Sequence, residues 1–126
     1  MDVTPLIQQG QQVIQSYGRS GFKVNGTLYE QAITVTADKT TLWTDKKHIA
    51  DLQLDDFSVL FDETAEQYDV YLLGTGTTFT FPPADLLHAL RDRKIKPDIM
   101  DTGAACRTYN VLMAEGRRVV TLLLPI

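Results

Sequence analysis

Apolar and polar positions change rhythm near the middle of the chain. In the first part the rhythm is that of short strands. Residues 12–17 make one candidate strand, and Phe22-Lys23-Val24 and Thr27-Leu28-Tyr29 flank Asn25-Gly26. Asn-Gly accepts the positive φ angles of a tight two-residue turn, so these two runs predict a β-hairpin. Over residues 32–36, Ile33 and Val35 alternate with threonines as in a half-buried strand, and residues 41–44 carry Trp43 in another strand after an Asp38-Lys39 turn. Residues 54–61 then place Phe57, Leu60 and Phe61 at helical spacing behind an acidic start, which suits the positive end of a helix dipole. Residues 63–67 are polar and loop-like.

The second half alternates strands with helices. Residues 69–73 form a short apolar run ending in glycine, the pattern of a strand covered on both faces. Residues 78–81 alternate like an outer strand. Pro82-Pro83 opens a helix reaching about Lys94, with Leu86, Leu87 and Leu90 inward, Arg91, Arg93 and Lys94 near its negative end, and His88 spaced to pair with Asp92. A short strand follows at residues 96–100. Asp101 or Thr102 caps the next helix, which runs to Glu115, stops at Gly116 and buries Ala105, Tyr109 and Leu112. Residues 119–124 make a last buried strand. Strand–helix–strand–helix–strand implies a largely parallel sheet, with residues 69–73 and 119–124 beside or near each other and the β-rich first half extending it or packing beside it.

The 126 residues suit one domain, 1–126, and 44% hydrophobic residues build a core that needs no metal or disulfide staple. The single cysteine, Cys106, excludes an internal disulfide and fits a reducing compartment. No basic, apolar leader opens the chain. Its longest apolar run, residues 119–126, is broken by Thr121 and Pro125 and falls far short of the ~20 residues a membrane span needs, so a cytoplasmic location is expected. A net charge of −4 argues against nucleic acid as a partner. The charge is uneven: residues 1–90 hold five basic and twelve acidic side chains, residues 91–126 seven basic and four acidic. This is either ordinary solvated surface or a basic face for an acidic protein partner, carried by Arg91, Arg93, Lys94, Lys96, Arg117 and Arg118.

Candidate chemistry gathers after two strands. Gly74-Thr75-Gly76 lets the backbone turn sharply or lets a ligand approach, although the third glycine of a dinucleotide fingerprint would fall on Phe79. Thr102, Gly103, Ala104 and Ala105 open a helix whose free N–H groups attract anions, and the same small residues also permit close helix–sheet packing. Both segments follow strands, where open α/β sheets hold their ligands. The candidate ligand set is Gly74, Gly76, Thr102, Cys106, Arg107 and Asn110. Near a helix start and Arg107, Cys106 is either a thiolate of lowered pKa or a small apolar packing residue. Asn110 either orients a ligand or ties down a neighbouring loop, and Tyr109 is a core residue with its hydroxyl at the edge. His48 and His88 lie in unrelated segments. No residue is assigned a catalytic role, and no metal or other cofactor is expected.

Four stretches together resemble a widespread family of small domains: residues 16–26 (SYGRSGFKVNG), 72–76 (LLGTG), 81–90 (FPPADLLHAL) and above all 100–119 (MDTGAACRTYNVLMAEGRRV). Animal relatives in that family include a mitochondrial complex I assembly factor and an adipogenesis-associated protein. The resemblance implies an α/β fold of three layers, a central mixed sheet flanked by helices with an N-terminal β-hairpin extension. It implies no established enzyme activity. By analogy it points to a non-enzymatic protein-binding or complex-assembly module; the alternative, read from the crevice at Gly74–Gly76 and the helix start at Thr102–Cys106, is a small-molecule or anion-binding protein or a minor enzyme.

Overall fold

The computed structural model describes residues 10–61 and 68–126. Among these residues, eight strands and two α-helices run in the order β1 (Ile14–Gly18), β2 (Gly21–Val24), β3 (Thr27–Tyr29), β4 (Ile33–Thr36), β5 (Thr40–Leu42), β6 (Val70–Gly74), α1 (Ala84–Asp92), β7 (Pro97–Met100), α2 (Thr102–Ala114) and β8 (Val119–Leu123), with 3-10 segments at Ile49–Asp51 and Leu54–Leu60 between β5 and β6.

The first three strands form their own antiparallel sheet. Asn25 (φ 47°) and Gly26 (φ 86°) turn the β2–β3 hairpin as their sequence requires. The other five build the main sheet in the order β5-β4-β8-β6-β7, with β8 and β7 parallel to β6 and β4 antiparallel to β8. The apolar runs read as central strands do lie side by side: Val70 pairs with Val119 and Gly74 with Leu123.

Alternation along β8 sends side chains to opposite layers. Val119 and Leu123 join Leu72, Ile33 and Val35 beneath α2 and the three-stranded sheet, which contribute Ala105, Cys106, Tyr109, Met113, Phe22 and Val24. Val120, Leu122 and Leu124 face the opposite way, against Phe57, Leu60, Leu86 and Leu90 from the 3-10 segments and α1. The result is three layers with the mixed sheet in the middle, and the N-terminal hairpin grown by one strand into a three-stranded meander.

Several local expectations are corrected. Residues 54–60 are a 3-10 helix; its Gln53–Asp56 capping box and Trp43 anchor a tight coil that helical spacing alone does not distinguish from α. β4 is buried throughout because both layers cover it. Trp43 lies just past β5: its main-chain N–H donates to the Ala32 carbonyl at 2.9 Å and its ring N–H to the Asp56 carbonyl at 2.6 Å. Residues 78–81 are a loop, with Phe79 and Phe81 exposed and packed edge to face. α1 stops at Asp92, since Lys94 turns into the left-handed region (φ 65°). Met113 takes the fully buried place expected of Leu112, and His88 forms no ion pair with Asp92 among the described residues. The polar stretch at 63–67 lies outside the described residues.

Candidate functional site

The Gly74–Gly76 turn and the start of α2 meet at the carboxyl ends of β6 and β7. Asp101 is the helix cap, its carboxylate accepting the Ala104 N–H at 2.9 Å, so Thr102 begins the first turn instead of capping it. Thr102 is fully buried. Its N–H donates to the Gly76 carbonyl (2.9 Å), while its hydroxyl accepts the Gly76 N–H (2.8 Å) and donates to the Leu124 carbonyl (2.8 Å). One side chain thus joins the exits of β6 and β8 to the start of α2. A Cβ on Gly74 would lie 2.9 Å from both Thr102 Cα and Oγ1, so only glycine allows this approach. Gly76, at φ 104°, makes the turn itself.

Further along α2 the candidate side chains face the three-stranded sheet. Asn110 is matched to one peptide unit of β1: its side-chain oxygen accepts the Ile14 N–H at 3.0 Å and its amide donates to the Ile14 carbonyl at 2.9 Å. The Tyr109 hydroxyl reaches the carbonyls of Gln12 (2.7 Å) and Thr36 (3.0 Å). Burial in this position, with Asp38 nearby, pushes the Tyr109 pKa well up. Arg107 donates to the Tyr17 hydroxyl at 2.6 Å on the exposed side. Cys106 is completely buried. Burial raises its pKa to about 12, against the opposing pull of Arg107, which favours the small apolar packing residue over the thiolate of lowered pKa.

An open space lies on the other side of the Gly76 turn. It is a cavity of about 620 Å³ between the Thr75–Thr80 loop, the end of the chain at Pro125, the β1–β2 turn and the link after β5. Arg19, Glu30, Asp45, Lys47 and His48 stand around it, and of the sequence-selected set Gly76 alone lines it. These polar and charged residues come from three separate segments, with no common spacing to mark them in the sequence. Lys46 also reaches this wall, but its ammonium is held by Asp56 at 2.6 Å.

Arg107 apart, the basic residues of the last third lie toward the opposite end of the sheet. β6, β7 and β8 are parallel, so Lys96 before β7 and Arg117 and Arg118 before β8 share the end where these strands begin, beside the close of α1 with Arg91, Arg93 and Lys94. Two of these cations are engaged. Arg93 lies 4.0 Å over the Phe61 ring, and Arg118 holds Asp69 through two nitrogens at 2.8 and 3.2 Å. Those hydrogen bonds lower the Asp69 pKa and raise that of Arg118. Arg91, Lys94, Lys96 and Arg117 are exposed and form no ion pair among the described residues.

Comparison with known proteins covers most of the chain. A family model described as a protein of unknown function (DUF498/DUF598) matches residues 14–124. The NADH dehydrogenase [ubiquinone] 1 alpha subcomplex assembly factor 3 of Danio rerio is 33% identical over 90% of this chain, which spans 64% of that protein; the human protein of the same name is 31% identical, with 60% of it spanned. Among solved structures, an outer membrane protein from Bartonella henselae superposes with a TM-score of 0.79 at 34% identity, covering 92% of this chain and 96% of that one. A Mth938-like domain from Bordetella pertussis gives 0.79 at 26% identity, covering 99% and 92%. Among the described residues of this chain, no helix is long and apolar enough to cross a membrane.

Proposed function

The chain belongs to the family of proteins of unknown function termed DUF498/DUF598, and from that premise we propose that it is a non-enzymatic module that binds protein partners and assists assembly of a multi-subunit complex. The observation that carries this reading is the relationship, over 90% of the chain, to an animal protein named as an assembly factor of NADH dehydrogenase. The chain spans about three-fifths of the length of these assembly factors, so the proposal concerns the shared domain. A respiratory complex is the first target to test, and the cytoplasmic side is the working location.

The basic end of the sheet is the proposed contact surface, with an acidic protein surface as its complement. Arg91, Lys94, Lys96 and Arg117 are exposed and form no ion pair among the described residues. Such charges steer encounter more than they tighten a complex, and salt screens them over a Debye length of about 8 Å.

The test is affinity capture of the tagged chain from its native cells, with mass spectrometry of what co-purifies and of the fraction, soluble or membrane, that holds it. Subunits or assembly partners of one multi-subunit complex are expected. Reversal of Arg91 and Lys96 to glutamate spares the Arg93–Phe61 contact and should slow association with the captured partner more than it speeds dissociation. Failure to enrich any such complex refutes the assembly role; association insensitive to salt and to the double reversal removes this face.

A further inference from the structure

We infer that the cavity beside the Gly76 turn is a binding site for a small zwitterion, a molecule of amino-acid type that carries an anionic and a cationic group. The cavity lies where β6 and β8 deliver their carboxyl ends, the position at which open α/β sheets receive ligands. Its volume of about 620 Å³ falls within the range of small-molecule pockets, roughly 300–1,000 Å³. Buried Ala32 and Ile49, with half-buried Pro125, give it apolar wall, and Thr77 and Thr78 add hydroxyls.

Its charges define the ligand. Arg19 and Lys47 are cationic, Glu30 and Asp45 anionic, and all four line the same space. The ion pairs of the described residues are Lys46–Asp56 and Arg118–Asp69, so none of these four neutralises another. Lys46 is removed from the count by Asp56. A simple anion entering here meets two carboxylates, and a simple cation meets an ammonium and a guanidinium. An uncharged apolar molecule makes no use of the four exposed charges. A ligand with both signs meets each pair with its complement through charge-assisted hydrogen bonds. This site is separate from the basic end of the sheet and stands whether or not the assembly role holds.

Titration of the ¹⁵N-labelled full chain, followed by amide spectra, tests the assignment. The probes are the free L-amino acids and the dipeptide lysyl-glutamate, with acetate, methylammonium and inorganic phosphate as single-sign controls. At least one amino acid or the dipeptide should shift the Gly76, Thr77 and Lys47 amides saturably, about tenfold more tightly than any control. The two kinds of probe distinguish a free metabolite from a peptide. Arg19→Gln and Glu30→Gln, both at exposed positions, should each weaken that binding about fivefold or more while the rest of the spectrum keeps its dispersion. The inference is overturned by no saturable shift up to about 10 mM, by phosphate or acetate binding as well as the zwitterions, or by binding indifferent to both substitutions.

Discussion

Thr102 is a fully buried side chain that ties three segments together. Its hydroxyl serves Gly76 and Leu124 together inside the protein, where an unmade hydrogen bond is costly. Thr102→Val keeps the shape and removes both bonds, leaving a buried donor and a buried acceptor unmatched. It should lower stability by roughly 2–4 kcal/mol, measured as a shift of the urea midpoint at unchanged slope. Cys106 makes the opposite case, a reactive atom denied reactivity by burial. With its pKa at about 12 the thiol is protonated at neutral pH. Labelling by a disulfide reagent should therefore follow the rate of opening of α2 and be far slower than for an exposed thiol; rapid, pH-dependent labelling of the folded chain would contradict this.

Single side chains also fix how the elements dock. Asn110 serves as a pairing peptide for β1, and Tyr109 and Arg107 add contacts to the same segment, so α2 clamps the three-stranded sheet onto the main one. On the other face, Asp56 organises the 3-10 segment: it accepts from Lys46 Nζ at 2.6 Å and from the Gln53 N–H at 2.8 Å. Burial works to raise the Asp56 pKa, but the hydrogen bonds from Lys46 and Gln53 outweigh it and hold the carboxyl below the ordinary 3.8. A depressed carboxylate adds stability above its unfolded pKa and loses it as pH falls through the folded value. Asp56→Asn should thus cost about 1–3 kcal/mol at neutral pH. The gap to the parent chain should close below about pH 4, as thermal melts at stepped pH will report.

At the scale of the molecule, the two ends of the parallel strands carry different features. The ends where β6 and β8 exit border the mixed-charge cavity, and the ends where they begin hold the basic residues. The charge division along the chain is not a division in space. Asp69 belongs to the acidic first part, yet it sits at the start of β6 and binds Arg118 within the basic end. Asp69→Asn should release Arg118 and raise the positive potential there. Association with an acidic partner should quicken at low salt and converge with the parent rate as salt is added; stopped-flow mixing at a series of ionic strengths is the check.

Local patterns in the sequence determined the Asn25-Gly26 hairpin, the two helices, the apolar strands at β6 and β8 and the glycine turn between β6 and α1. Each is set by neighbours a few residues apart: turn dihedrals, side-chain periodicity, caps. The same local patterns could not separate a 3-10 coil from an α-helix at residues 54–60, since three- and four-residue spacings overlap in so short a run. Nor could they exclude a strand at residues 78–81, whose alternation finds no partner to complete a ladder. Tertiary structure alone decided that β4 is buried on both faces, that Thr102 spends its polar atoms on Gly76 and Leu124, and that Asn110 and Arg107 address β1. It also brought Arg19, Glu30, Asp45 and Lys47 around one cavity. Those relations join residues up to 96 positions apart, and only the closing of the three layers brings such distant segments into contact.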